Sequence, residues 1–423
     1  MSEGKTKKVR ISSSNKRDQK LPQIIPTIIP NKPINSDSLQ FRIYVGSYEH
    51  NLLCLSVNLP NDRSKTPVFQ PIFHFQAHAL SIKSISAAKR YLVTGSNDEH
   101  IRIYDLQKRK ELGNLMGHQG SITSLRFSED HDDEGNSENN HKTGKWLLSG
   151  SDDGKIIIWR SKDWEIFGTL KGHQGKVNDI AIHPSGRIAV SVGEDKTVRL
   201  WNLMTAKKAA NLKIKNDWQA GELVRWSTTG DYFFVALLNK VLVYKTSEAK
   251  TIKEISFKHT VMHLEVYKIQ DVEYVVVGLN NGSIEFYRLE DEILAKGESF
   301  EPEFRLQGHT NRIKDFKLYK TGKQTLLISI SSDGNIVVWD LILRDQIAVY
   351  NTGERLNCVE ITSEAVEKVE TMKRRLEDDE AEFSASESEN EDTEELKKIM
   401  NNERTKKKKK KGSKKEKISV QLE

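Results

Sequence analysis

The chain has 423 residues, a charged fraction of 30%, a formal net charge of +6 and two cysteines. Two cysteines are too few for a disulfide framework or a zinc site, so a reducing compartment is expected. No apolar run is long enough to cross a bilayer, and the Lys- and Ser-rich start carries no apolar signal core, so a soluble, non-secreted protein is expected.

The net charge hides an uneven distribution. Residues 1–37 are basic, 377–395 are acidic with no Lys or Arg, and 396–423 are strongly basic. Within the first block, Pro22 to Pro33 removes ladder donors and fixes φ, which predicts an extended arm rather than a folded element. Ile24, Ile25, Ile28 and Ile29 in that arm suit a groove on the folded body or on a partner.

Strand signals begin at Phe41. Phe41–Val45, Leu52–Val57 and Val68–Phe75 read as strands separated by turns. A repeating unit follows, and repeats decide the architecture before any other reading. Its most regular copy runs from Gly172-His173 to Trp201-Asn202, with three short strands, Val177–Ile182, Ile188–Val192 and Thr197–Trp201, divided by His183-Pro184-Ser185-Gly186 and Gly193-Glu194-Asp195-Lys196. The same arrangement holds His78, Thr94, Asp98 and Tyr104; His118, Ser149, Asp153 and Trp159; His173, Ser191, Asp195 and Trp201; and His309, Ser329, Asp333 and Trp339. In all four the Asp stands six residues before the aromatic and the Ser or Thr four before the Asp.

Two further units fit between Trp201 and His309, at Leu223–Tyr244 and Val261–Tyr287. Both have lost parts of the pattern: Trp218 stands where a Gly-His is expected, Leu238 and Asn281 where Asp is expected, and Val277 where Ser is expected. A lone strand, Leu356–Ile361, is left over at the end, while the segment after Phe41 lacks its first strand. Joining the two closes a ring and gives an all-β fold, a seven-bladed propeller of four-stranded sheets with disordered charged N- and C-terminal tails. The expected organisation is an arm at 1–37, a propeller at 38–362 whose last blade joins 355–362 to 41–75, and a tail at 363–423. Glu129–Gly144 reads as a mobile acidic insertion in the second blade. Ser363–Leu376 and Thr393–Arg404 read as short helices within a tail otherwise disordered when free.

His173, Ser191 and Asp195 have the residue types of a hydrolase triad, but the set occurs four times and an active site is one place. A buried hydrogen-bond chain in each blade fits better, because Trp Nε1 only donates, Asp accepts, and His and Ser do both. Gly150–Lys155 and Gly193–Thr197 resemble phosphate loops only faintly, without the required spacing or a following helix. The histidines and acids show no metal-ligand spacing, so no cofactor is expected. Lys406, Lys407, Lys408, Lys409, Lys410, Lys411, Lys414 and Lys415 form a basic end suited to nuclear targeting or RNA phosphate, without the aromatics that base readout needs. Ser384, Ser386 and Ser388, each followed three residues later by Glu, are candidate phosphorylation sites that would deepen the acidic block.

The Gly-His, S-x-x-x-D and Trp-Asp pattern resembles the WD-repeat family over about residues 38–362. Val93–Asp105, Ile182–Gly186 and Ser191–Arg199, with Tyr104 replacing Trp in the first repeat, resemble one narrower group: the p21-activated-kinase-interacting WD-repeat proteins, which include the fungal maintenance-of-killer ribosome-assembly factor. The resemblance implies a non-enzymatic scaffold in large (60S) ribosomal subunit biogenesis and rRNA processing, located in the nucleus and nucleolus. The partners it implies are pre-60S ribosomal particle proteins, and members of the group are also linked to negative regulation of p21-activated protein kinases. Contact with pre-rRNA through the basic tails is a further expectation, with no membrane and no small-molecule substrate. Trp159 is followed by Arg160 and Trp201 by Asn202, where the family signature has Asp. On the face bearing the Gly-His and Asp loops, Lys155, Lys171, Lys176, Lys196 and Arg312, together with Trp218, are the expected partner-binding residues.

Overall fold

Every repeat folds into a four-stranded antiparallel sheet, and there are seven such sheets. The computed structural model describes residues 38–60, 62, 65–128, 144–214, 218–290, 301–321 and 324–367. The N-terminal arm, residues 129–143 of the acidic insertion, and the tail beyond 367 with its lysines and candidate phosphoserines lie outside the described residues. Of the first expected tail helix, the described part is a 3-10 turn, Glu364–Glu367.

The third blade shows how the sequence sets the sheet. Its strands are β12 (Val177–Ile182), β13 (Ile188–Gly193), β14 (Thr197–Asn202) and β15 (Lys207–Lys213), hydrogen-bonded in that order from the centre outward. β13 is buried along almost its whole length instead of alternating. Both faces of the blade are covered by neighbouring blades, so its second strand reads as Ile-Ala-Val-Ser-Val. The outermost strand, β15, has only the edge of its sheet to cover it and is largely exposed. The core is accordingly a set of seven clusters, most of them lying between blades. Between the third and fourth blades, Val190, Val192 and Val198 pack with Val224, Phe233 and Val235, and full burial of such side chains stabilises by about 1.5–3 kcal/mol each.

The seventh sheet combines the two ends of the body. Its innermost strand is β28 (Leu356–Ser363), followed by β1 (Ser38–Ser47), β2 (Asn51–Pro60) and β3 (Val68–Gln76). β1 and β28 run antiparallel from Phe41 opposite Ser363 to Gly46 opposite Cys358. Phe41, Ile43 and Val45 join Val359 in one cluster with Ile328 and Ile330 of the sixth blade, and Phe41 stacks on Tyr319 with ring centroids 4.8 Å apart. The pairing covers the inner edge of β1, which would otherwise be open to template aggregation.

Gly46 sits where this closure is tightest. A Cβ there would lie 2.7 Å from both Cys358 Sγ and Ile82 Cγ2. Gly46→Ala should lower stability by about 1–3 kcal/mol through forced shifts in β28 and the first blade. Chemical denaturation reads this directly, and an unchanged midpoint would contradict the close packing of the seam.

Candidate functional site

The sequence-predicted histidine sets are assembled by the same local geometry in four blades. Histidine precedes the innermost strand, Ser or Thr lies on the second, Asp in the turn that follows, and the aromatic on the third. In the third blade His173 Nδ1 is 3.0 Å from Asp195 Oδ1, His173 Nε2 is 2.7 Å from Ser191 Oγ, and Trp201 Nε1 donates to Ser191 Oγ at 2.7 Å. The second blade has His118 3.2 Å from Asp153 and 2.8 Å from Ser149, with Trp159 Nε1 donating to Ser149 at 2.8 Å. In the sixth blade His309 is 3.4 Å from Asp333 and 2.7 Å from Ser329, and Trp339 donates to Ser329 at 2.8 Å. In the first, His78 is 3.0 Å from Asp98 and 2.8 Å from Thr94, with Tyr104 buried in the tryptophan's place.

The donor-only indole fixes the direction of these chains. Trp201 occupies a lone pair of Ser191, the Ser191 hydroxyl proton goes to His173 Nε2, and His173 donates its Nδ1–H to Asp195. In this direction every donor and acceptor of the chain is matched with a neutral histidine. Thr94, Ser149, Ser191 and Ser329 are all 0% exposed, so none of these hydroxyls can reach a substrate in solvent. The aspartates also bind the backbone. Asp195 accepts N–H groups from Gln174 and Thr197, as Asp153 does from Gln119 and Lys155. Each ties the loop before the blade to the turn inside it. In the third blade Arg199, whose Nη2 lies 3.2 Å from Asp195, extends the chain by one cation, a residue the repeat pattern does not mark.

Burial pushes the imidazoles of His78, His118 and His173 below their ordinary value, against the pull of the adjacent aspartates. Burial works to raise Asp195, but hydrogen bonds from Thr197, His173 and the Gln174 N–H outweigh it and hold the carboxyl at about 2. For these groups the unfolded chain takes up protons before the folded one does. Their contribution to stability is complete above the ordinary histidine value of 6.5 and declines as pH falls below it. The aspartates add a second loss below their ordinary 3.8. The thermal midpoint should therefore fall between pH 7.5 and pH 5; a midpoint that held or rose over that range would contradict neutral buried histidines.

The degenerate blades replace the polar chain with aromatic packing. In the fourth, Phe233 stacks on Tyr244 at 4.8 Å and meets Trp226 at 5.3 Å. In the fifth, Phe257 packs edge-on against Tyr287 at 5.6 Å, and the Tyr287 hydroxyl donates to Glu285. Asn281 accepts from Ser283 within its own turn. Trp218 enters no such chain: it is 76% exposed, and Leu238, also in the fourth blade, is 47% exposed.

The expected basic residues do not form one uncompensated cluster. Lys155 Nζ is 3.5 Å from Asp153 Oδ2, and Lys176 Nζ is 3.5 Å from Asp152 Oδ1 of the preceding blade. Lys171 lies opposite Lys155 across the second blade's two outer strands. Lys196 is exposed in a tight turn with φ of 56°. Arg312, in the sixth blade, donates from Nε to Ser332 Oγ at 3.3 Å.

A charged network lies where the repeat pattern gives no sign of it. The innermost strands include β4 (Ile82–Ala88), β8 (Ile122–Phe127), β16 (Leu223–Trp226), β20 (Val261–Ile269) and β24 (Ile313–Lys320), and with β12 and β28 they form a ring in which each touches the next. Glu265 Oε1 on β20 is 2.9 Å from Arg225 Nε on β16, 3.1 Å from Lys317 Nζ on β24 and 3.5 Å from Arg126 Nη1 on β8. The Arg225 Nε contact is close but not aligned as a hydrogen bond. Arg225 Nη1 also pairs with Asp179 on β12, which accepts from Ser124 Oγ at 2.8 Å. His263 Nε2 lies 3.0 Å from Asp315 Oδ1. Arg126 reaches from the second blade to the fifth, so this layer bridges the central channel. Burial would raise the Glu265 carboxyl, but Arg225, Lys317 and Arg126 hold it well below the usual range.

The chain matches the family described as WD domain, G-beta repeat over residues 69–105, 137–160, 164–202 and 300–340. It is 53% identical over 412 residues to Protein MAK11 of Saccharomyces cerevisiae, covering 92% of this chain and 99% of that protein. It is 32% identical over 335 residues to a p21-activated protein kinase-interacting protein 1-like of Gallus gallus, covering 78% of this chain and 82% of that one. It is also 25% identical over 329 residues to Shk1 kinase-binding protein 15 of Schizosaccharomyces pombe, covering 75% and 83%. With seven blades and a polar chain of the same design in four of them, the chain belongs to the WD-repeat family that includes MAK11 and the p21-activated kinase-interacting proteins.

Proposed function

We propose that the protein is a non-enzymatic scaffold in assembly of the large ribosomal subunit, acting in the nucleus and nucleolus. The observation that carries this reading is the likeness to MAK11 along 99% of that protein's length, together with the ribosome-assembly role that the group resemblance implies. The architecture suits that role. Closed sheets and aspartate-tied loops hold surface side chains at fixed positions, which is what a docking platform needs. The run Lys406–Lys411 adds a sequence-independent attraction to nucleic-acid phosphate. Imaging of the tagged full-length chain beside a nucleolar marker, with the large-to-small subunit ratio measured after depletion, tests the reading. Nucleolar signal with loss of large subunits supports it; a cytoplasmic protein whose depletion leaves the ratio unchanged overturns it.

A second reading, binding to a p21-activated protein kinase, is favoured by the names of the Gallus gallus and Schizosaccharomyces pombe relatives. The exposed Trp218 and Leu238 of the fourth blade supply apolar area for such a contact. Trp218→Ala should then weaken kinase capture by the purified chain and leave its thermal midpoint unchanged.

A further inference from the structure

The innermost strands carry one equivalent position at the loop-bearing end of the channel, where their pairing shifts register. In three blades this position is a polar clip to the next blade: Thr123 Oγ1 donates to the Val177 carbonyl at 2.6 Å, Asn178 Nδ2 to Gly221 at 2.8 Å, and Asn357 Nδ2 to Ile82 at 2.9 Å. In the first and sixth blades it is Lys83 and Lys314, on either side of Asn357. Among the described residues neither lysine has a hydrogen-bond or ion-pair partner. Arg312 and Arg355 stand immediately before the same strands. Arg312 Nε is engaged by Ser332 Oγ at 3.3 Å and Arg355 lies over the Tyr48 ring at 5.0 Å, and neither is ion-paired to an acid among the described residues.

We propose that Lys83, Arg312, Lys314 and Arg355 form a binding site for a phosphorylated serine or threonine on an acidic peptide, at the mouth of the central channel. The proposal is independent of the large-subunit reading.

Four cations in three successive blades repel one another, and a dianion between them relieves that repulsion and makes charge-assisted hydrogen bonds. Burial, with Arg312, Lys83 and Arg355 nearby, lowers the Lys314 ammonium to about 8, consistent with a group lacking its counter-charge. Below the mouth the Arg126–Glu265 pair bridges the channel from the second blade to the fifth. A peptide phosphate is favoured over RNA by the acids on the rim. Glu49 accepts the Arg355 backbone N–H, Glu354 pairs with His74, and Glu222 stands at the equivalent position of the fourth blade, near Lys176 and Glu194. An RNA strand carries a phosphate on every nucleotide and would set several of them against these carboxylates, whereas a peptide inserts one side-chain dianion among the four cations and leaves its own carboxylates to the solvent. The chain itself contains the acidic stretch with Ser384, Ser386 and Ser388; a partner's segment of the same chemistry would bind in the same way.

Fluorescence anisotropy with the dephosphorylated full-length chain tests this. The probe is a peptide of residues 380–392 phosphorylated at Ser386, compared with its unphosphorylated form and a single-stranded RNA of equal charge. The phosphopeptide should bind at least about tenfold more tightly than the unphosphorylated one, and Lys83→Ala and Lys314→Ala should each weaken it by about tenfold. Lys208→Ala, on the exposed outermost strand of the third blade, should leave it unchanged, and unaltered thermal midpoints show that the variants fold. Equal affinity of the wild-type and lysine-variant chains for the phosphopeptide overturns the site, as does RNA binding that the same two substitutions abolish while the phosphopeptide stays bound. To identify the source, the phosphorylated full-length chain is compared with its Ser384, Ser386 and Ser388→Ala variant. Weaker probe binding by the former assigns the site to the chain's own tail, and equal binding assigns it to a partner.

Discussion

Arg225→Met should destabilise the propeller by about 3–5 kcal/mol, the usual effect of removing one partner of a buried charge pair. Arg225 is 6% exposed and stands between Asp179 and Glu265. Burial alone would lower its pKa, but those two carboxylates raise it above its already high value. Methionine keeps the apolar stem and removes the charge, so most of the loss comes from the two acids left behind. Lys317 and Arg126 still offset part of the Glu265 charge, whereas Asp179 keeps one cation, Arg126 at 3.9 Å, with the Ser124 hydroxyl and the backbone N–H groups of Ile180 and Val224. Adding Asp179→Asn and Glu265→Gln to Arg225→Met should therefore recover a good part of the stability. Denaturant midpoints of the single and triple variants check this. A single variant as stable as the parent, or a triple variant less stable than the single, would contradict a charge-coupled channel layer.

The second large effect is Ser191→Ala. It removes the acceptor of Trp201 Nε1 and the donor to His173 Nε2 together. Two buried polar atoms lose their partners, at about 1–3 kcal/mol each. Ser149→Ala and Ser329→Ala should show similar losses, because Trp159 and Trp339 bond them in the same way. Thr94→Val should lose less, since Tyr104 replaces the indole there. A catalytic serine would behave differently, with one position abolishing activity and the others remaining silent. Unfolding midpoints of the four variants separate the two roles, and a single sensitive position among them would contradict the structural one.

The blades are legible in the sequence because one physical unit recurs. An Asp six residues before an aromatic and a Ser four before that Asp place four polar side chains in register on neighbouring strands, and tertiary packing cannot disguise such a spacing. The leftover strand at 356–361 is equally visible. The channel layer is harder to find, although a signal exists. The first strand of several units carries charge on alternate positions, as in Asp179, His263 with Glu265, and Asp315 with Lys317. Alternation usually marks a solvent face, and only the closed ring turns that face inward. The basic surface set rests on proximity to the turns along the chain. Pairing of Lys176 with Asp152 joins two blades and depends on their packing. In the fourth and fifth blades the missing Asp and Ser look like loss, whereas Phe233 with Tyr244 and Phe257 with Tyr287 substitute ring packing for hydrogen bonds. The unpartnered Lys83 and Lys314 stand out only when equivalent strands are aligned in space.

Mass spectrometry of the native complex, purified through the full-length chain at its natural abundance, tests the scaffold role most directly. Large-subunit ribosomal proteins and assembly factors are expected in stoichiometric recovery, retained by the propeller when the lysines at 406–411 are replaced. Recovery of a protein kinase alone, with no pre-ribosomal component above background, would contradict that role.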